Sequence, residues 1–528
     1  MMRKLILIFI TMRNKYLLVA AIVFLGFILR IYHVGSLPVI LNRDEAALAY
    51  NALLIKDSGR DEWQKTLPIT FKSFGDYKLP GYIYTLVPFF TVLGANDFVV
   101  RLPAVLAGTV LIALAYLTGK KFGLKDQFAL IFSLIVALQP VFIFYSRMAW
   151  EANLALSFFV GAMLLLFRLV KNKKKRKIFD FVALILALIA VLTYNSPLIL
   201  LPFAILILIL QRGVKKWEAW IIPVVGLSLI FLLMNLLLMP ISQQKSAITI
   251  FSDPTVWTHF VEHRQSLSGL SQIIFGNRFV YWFSIIIKNI LNSFSYRFLV
   301  TGGGTHPWHN LPNQAHVFAL TYVLAWIGIV SSVYFSWKRR TITPELVLSL
   351  VLIFSLAPAV ITVDAPHATR SLAFFFYFSL MSVFGLKTIV NMVKKSYKTK
   401  ILKFFFFVLA VSTSLWFKNY FFIYPTQQKM LLPGFDIVIQ EVENKFPDKK
   451  VAVVANGYQY ILAAWYLKID AEQYFASNIR QQPDRIGLSY GQQVDDYHFI
   501  GHRDDRLEEE ELLIYWDEQA QHWQLEGK

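Results

Sequence analysis

Nine apolar runs, each close to the length a helix needs to cross hydrocarbon, leave few folds open to this chain. They fall at 17–34, 127–146, 152–170, 178–194, 217–240, 316–336, 343–363, 371–391 and 401–424, against a spanning requirement of about 20 residues. Core helices of soluble domains do not recur at that length. Only 16% of the residues are charged, where a soluble domain carries about 25%. The expected fold class is a polytopic α-helical membrane protein.

Charge then assigns direction. The net +19 divides into −8 from Pro425 onward and +27 before it. The excess lies in short connections between apolar runs: Lys120, Lys121 and Lys125; Lys171 to Lys177; Arg212, Lys215 and Lys216; Lys338 to Arg340; and Lys394 to Lys400. Loops rich in Lys and Arg stay cytoplasmic, so these clusters mark the inner face and nucleic acid is not an expected partner. The basic start leads into an apolar run of full spanning length, which reads as a retained first helix. There is no cysteine, which excludes disulfides and thiolate chemistry.

Counting crossings between the basic marks gives about 11 spans, or up to about 13 when 80–119 and 279–300 cross in full. Residues 80–95 are expected along the outer interface or as the bent outer part of a long helix. The stretch 279–300 is interrupted by Lys288, Asn289 and Asn292, which suits an interfacial helix. External loops are expected at 35–79 and 241–315, with GGGTHPWHN at 302–310 a surface turn or a gating loop. The N-terminus is then cytoplasmic. Beyond 424 the pattern changes to a small extracytoplasmic α/β domain, 425–528, with helices in GFDIVIQEVENKF and YQYILAAWYLKI and strands in KKVAVVA, YHFIGH and ELLIYW. The module before it is 1–424.

The first 424 residues hold so few acids that each can be placed. Asp126, Asp180, Glu218 and Glu345 lie beside inner loops; the others, including Asp44, Glu45, Asp76, Glu151 and Asp364, fall on the outer side. Asp44 either caps the helix that begins there or is available for chemistry. Glu151 either pairs with Arg147 one helical turn earlier or belongs to a site, since an unpaired carboxylate at a membrane mouth is costly. Lys78, His367 and Arg370 are cations at the same face, where such residues also serve as snorkelling anchors. Carboxylates and cations converging from four segments suit a general base beside a phosphate clamp.

In that order the motifs resemble the GT-C class of membrane glycosyltransferases, which take a sugar from a polyprenyl-phosphate carrier. The similarity runs through about residues 17–424, in the branch of protein O-mannosyltransferases and lipid A aminoarabinose transferases (glycosyltransferase family 39-like). It rests on Asp44-Glu45, on KLPGYIY, on LGANDFVVRLPAVLAG, on the Arg147–Glu151 element and on the long external loop. The resemblance implies an inverting transfer to an extracytoplasmic acceptor: a protein hydroxyl, a lipid or a glycan. Asp44 is then the catalytic base, with Glu45 its neighbour and Glu151 the second-loop acid. Lys78 holds the donor phosphate, with Arg147, His367 and Arg370 as further phosphate-binding candidates. No cofactor is required. A divalent metal is not expected, because Tyr77 stands where the aminoarabinose branch has an acidic ligand. The expected setting is the plasma membrane, with the bilayer, the lipid-linked donor and the acceptor as partners. A transporter or flippase of envelope glycolipids is the alternative; it predicts ionisable residues at mid-membrane and a path open to both faces.

Overall fold

The computed structural model describes residues 15–168, 172–212, 220–303, 309, 316–427, 431–455, 457–484 and 488–527. Most of 302–310, and the basic residues Lys171, Lys215 and Lys216, lie outside them. Among the described residues five helices are long and apolar enough to cross a membrane: Asp97–Lys121, Asn195–Arg212, Ala319–Arg339, Thr369–Met392 and Lys395–Thr426. Two bent pairs raise the number to 7 if each is one span. Shorter apolar helices at Pro80–Leu93, Glu151–Leu166, Ile221–Leu237 and Pro344–Val360 account for further runs. The chain divides into two compact units: one runs through Arg30 and takes in Val105–Ser146 and Glu151–Asn419, the other comprises Ile31–Ala104, Arg147–Trp150 and Tyr420–Lys528.

The first unit is the helical bundle. Its run 127–146 is broken into Asp126–Leu138 and Pro140–Ser146, bent by 54°. Pro140 causes the break, because it has no N–H for the carbonyl of Val136. The next amide, Val141, donates instead to the carbonyl of His316 at 3.0 Å, which leaves Ala137 open as well. Arg30, fully buried, supplies the missing donors: its guanidinium reaches the carbonyls of Val136 at 3.0 Å and Ala137 at 3.1 Å, and that of Gly26 at 2.9 Å. The 279–300 stretch forms the helix Arg278–Ser293. Phe279, Phe283, Ile287 and Leu291 are exposed and repeat at helical spacing. Asn289 points inward and donates to the carbonyl of Val360 at 2.9 Å, so this polar interruption serves packing.

In the second unit the tail carries a six-stranded mixed sheet. Its strands are β3 (Val451–Val454), β4 (Ile479–Arg480), β5 (Gly491–Val494), β6 (Tyr497–Ile500), β7 (Leu512–Asp517) and β8 (His522–Gly527), in the order β4-β5-β6-β3-β7-β8. The apolar VAVV of β3 lies at the centre, parallel to both neighbours, as a strand covered on both faces should. β3, β6 and β7 match the strands expected from the alternation; β4, β5 and β8 are short or polar and were not anticipated. The expected helices are Phe435–Lys445 and Gln459–Tyr466.

The same unit holds a hairpin in the first loop, β1 (Phe71–Ser73) with β2 (Asp76–Lys78). Phe74 and Gly75 turn between them at φ 31° and 88°, positive values that favour glycine at the second position. The tail holds this hairpin: the Ser489 amide donates to the Phe74 carbonyl at 3.0 Å, and Tyr490 stacks on the Phe74 ring.

Candidate active site

The helix Arg43–Ser58 begins with a capping box: Asn42 accepts from the amides of Asp44 and Glu45, and Glu45 returns a bond to the Asn42 amide. The N-cap is therefore Asn42, which corrects the reading of Asp44 as the cap. Asp44 stands in the first turn with its carboxylate clear of the backbone, where the helix dipole favours negative charge. Four alanines, at 46, 47, 49 and 52, are fully buried, so this helix packs closely and its start is firmly placed.

Lys78 ends β2 and meets that start. Its Nζ lies 2.5 Å from Asp44 Oδ1 and 3.0 Å from Asp76 Oδ2. Side chains two apart on a strand share a face, so the hairpin sets Asp76 beside Lys78 and turns Tyr77 away. Lys78 is 10% exposed, Asp44 25% and Asp76 20%, so the triad is sheltered yet open. Burial pushes the Asp44 carboxyl up, but Lys78 and Arg43 outweigh it and hold it below the ordinary carboxylate value, with Asp76 opposing them. The triad is a carboxylate, a cation and a second carboxylate that shares the cation. Asp76 was missed by sequence reasoning; the signal was the D-x-K spacing after a Phe-Gly turn.

Glu45 has a different task. It is fully buried and faces Arg101, Oε1 to Nε at 3.0 Å. The Arg101 guanidinium also donates to the carbonyls of Val34 and Pro38 at 2.9 Å and Ile40 at 3.1 Å, and to Glu45 Oε2 at 3.3 Å. All five of its N–H groups are thereby engaged. Glu45 Oε1 also accepts from the Ala149 amide at 2.8 Å. Arg147, buried too, donates to the carbonyls of Tyr32 and Leu37 and to the Tyr420 hydroxyl. These contacts hold the Glu45 and Arg147 side chains in place within the unit.

The tail is tied to the same unit by acids of the loop region. Asp97 accepts from Trp465 Nε1 and the Tyr466 hydroxyl, both at 2.9 Å. Buried Glu62 pairs with Arg480 at 2.8 Å and accepts from the Tyr460 hydroxyl at 3.1 Å. Burial, with the neighbouring Glu62 charge adding to it, pushes the Tyr460 hydroxyl well above its usual range, so it stays a neutral donor.

Glu151, His367 and Arg370 lie in the first unit. Glu151 opens the helix Glu151–Leu166 and is buried. Arg370 pairs with Asp364 and donates to Thr362 Oγ1 at 2.9 Å. His367 Nε2 lies 3.7 Å from Asp364 Oδ2. Thr369 joins Tyr145 at 2.9 Å to His309 at 2.8 Å. Thr369, Arg370, Tyr194 and Ser196 edge a narrow apolar crevice of about 20 Å³, room for one water-sized guest. His367 and Arg370 therefore share an acid, Asp364.

Among the described residues no group of three His, Asp or Glu is arranged to hold a metal ion. Asp44 and Asp76 share the Lys78 ammonium. That arrangement does not fit a divalent cation.

Residues 78–238 match the family described as dolichyl-phosphate-mannose-protein mannosyltransferase. No curated protein sequence matches the chain. Among solved structures it is similar to the Archaeoglobus fulgidus oligosaccharyltransferase in complex with Zn and sulfate, at 15% identity and TM-score 0.50, covering 85% of this chain and 61% of that one. The chain thus spans less than two thirds of that enzyme's length. ArnT from Cupriavidus metallidurans in the apo state gives 14% identity and TM-score 0.49, covering 86% and 84%. The same protein bound to undecaprenyl phosphate gives 12% and 0.49. The likeness to the solved structure is one of fold, and the family match covers residues 78–238.

Proposed function

We propose that the chain is an inverting glycosyltransferase that moves a sugar from a polyprenyl-phosphate carrier to an extracytoplasmic hydroxyl on a protein, lipid or glycan. The observation that carries this reading is the Asp44–Lys78–Asp76 triad at a helix start. The acceptor oxygen attacks the anomeric carbon while its proton passes to Asp44. The bond from that carbon to the phosphate oxygen breaks, and polyprenyl phosphate leaves with the electron pair. Lys78 offsets the charge that gathers on the leaving oxygen. At rest Lys78 also lowers the basicity of Asp44. A donor phosphate that draws Lys78 away restores it, so the base is strengthened when the donor is in place. Asp76 keeps Lys78 oriented during the exchange.

In the class resemblance Glu151 takes the place of the second-loop acid, and His367 and Arg370 are candidates for the donor phosphate. In the same reading the bundle has about 11 crossings, and the triad and tail domain face away from the cytoplasm, as the distribution of basic loops supports. A flippase would need a charged path through the bundle. Among the bundle's buried ionisable groups, Arg30 and the Arg212–Asp180 pair are engaged in structural bonds.

The test is transfer of radiolabel from defined polyprenyl-phosphate sugars to cell-envelope acceptors in membranes containing the protein. Asp44→Asn and Lys78→Ala are each expected to lower transfer by about 100-fold or more. Wild-type transfer in both variants would overturn the assignment. Single cysteines placed at the tail and at Lys394, in this naturally cysteine-free chain, test sidedness with a membrane-impermeant thiol reagent.

A further inference from the structure

The bundle carries a second cavity with no part in the chemistry above. The helices Ala319–Arg339 and Leu372–Met392 end, and Pro344–Phe354 begins, around a space of about 310 Å³, within the range of ligand pockets. Its walls include Arg339, Lys387, Glu345, Ser331, Thr388 and Asn391. From Arg370 to Lys387 the chain rises about 26 Å along one helix at 1.5 Å per residue. The cavity therefore lies a membrane thickness away from the Arg370–Asp364 cluster of the same unit.

Its chemistry is that of an anion site. Lys387 lies over the Phe384 ring and pairs with Glu345 at 3.1 Å, both about a quarter to a third exposed. Ser331 and Thr388 hydroxyls meet at 3.3 Å. Arg339 extends along Phe335. The local balance is two cations to one acid; Lys338 and Arg340 flank Arg339 in sequence, and Lys394 and Lys395 follow Lys387. Hydroxyl and amide groups beside the cations suit a ligand that carries its own hydroxyls next to a phosphate.

The surface beside the cavity is apolar. Val330, Val333, Tyr334 and Trp337 repeat at helical spacing and are 64%, 54%, 48% and 77% exposed. They form a stripe on the helix that supplies Ser331, Phe335 and Arg339. Trp and Tyr next to basic residues are typical of the membrane interface, and basic pockets between spanning helices bind lipid headgroups. We propose that this cavity binds the headgroup of an anionic, hydroxylated glycerophospholipid such as phosphatidylglycerol, with an acyl chain along the Val330–Trp337 stripe. The phosphate sits between Arg339 and Lys387, displacing Glu345 from Lys387. Ser331, Thr388 and Asn391 take the glycerol hydroxyls.

The test is native mass spectrometry of the full-length protein in detergent, titrated with phosphatidylglycerol or phosphatidylcholine. Phosphatidylglycerol is expected to be retained at several-fold higher occupancy. A surface cation contributes about fivefold in affinity, so Arg339→Ala should lower phosphatidylglycerol retention by that factor while Arg339→Lys keeps it. Glu345→Gln removes the internal competitor for Lys387 and should raise retention, a gain that a misfolded protein cannot give. Asn391→Ala should reduce the preference for phosphatidylglycerol over a phosphate lipid without headgroup hydroxyls. Equal retention of both lipids by the wild type, or retention unchanged in Arg339→Ala and Glu345→Gln, overturns the proposal. Soluble glycerol phosphate that displaces phosphatidylglycerol at equal concentration overturns the role of the apolar stripe.

Discussion

Replacing Arg101 by Met leaves a chain of similar bulk with one cation removed, and the structure allows the consequence to be worked out. Glu45 is fully buried and has Arg101 as its ion-pair partner. Breaking one side of a buried pair costs about 3–5 kcal/mol, because the remaining charge is stranded. The carbonyls of Val34, Pro38 and Ile40 lose their donors at the same time, each at about 1 kcal/mol or more. The sum, about 6–8 kcal/mol, rivals the 5–15 kcal/mol that holds a typical domain folded. Arg101→Met is therefore expected to melt at least about 10 °C lower in detergent, followed by tryptophan fluorescence, or to fail to accumulate. Arg101→Lys keeps the charge but offers three donors in place of five and should fall between. The informative variant is Glu45→Leu combined with Arg101→Met: with no charge left stranded, it should be more stable than Arg101→Met alone. A double variant whose loss equals the sum of the two single losses, or an Arg101→Met protein melting within about 2 °C of wild type, refutes the reasoning.

Three further outcomes follow from the same structure. Because its folded pKa is depressed, Asp44 contributes stability that is present above the unfolded value near about 3.9 and is lost as pH falls through the lower folded value. A profile of kcat/KM against pH should accordingly show no acidic limb from Asp44 above about pH 4, and a limb there that vanishes in Asp44→Asn would contradict the ion pair. Asp76→Asn leaves Lys78 to Asp44 alone; donor KM should rise by about tenfold with a smaller change in kcat, and steady-state kinetics over a donor series decide it. Arg30→Leu strands the carbonyls freed by Pro140, at about 3 kcal/mol, and a thermal melt indistinguishable from wild type would remove the role given to Arg30.

The membrane class, most helix positions and the tail's central strands were legible because apolar periodicity reports burial directly. Strands such as Ile479–Arg480 and His522–Gly527 were not, since short polar edge strands owe their pairing to neighbours already in place. Lys78 and Asp44 were legible as motif residues, but their partner was not. Reading along the sequence leads to Tyr77 as Lys78's neighbour, whereas the two-residue period of a strand makes it Asp76. The RLP element was recognisable as a pattern, yet the task of Arg101 depends on three carbonyls between Val34 and Ile40 that no side-chain pattern marks. Glu45 is a related case: it adjoins Asp44 in sequence, while the helical turn carries its side chain into the protein, toward Arg101.

The hairpin that sets Asp76 beside Lys78 has a consequence for selectivity. A lone lysine in a sheltered site attracts any passing anion, including free phosphate and nucleotides. Here the resting charge is already balanced by two carboxylates, so a small anion gains little by entering and must repel Asp44 to do so. A donor anchored by a long lipid brings affinity from elsewhere and can displace that carboxylate. Under the proposed function the triad would thus work as a threshold, holding the site inert toward soluble phosphates until a ligand with a membrane anchor arrives.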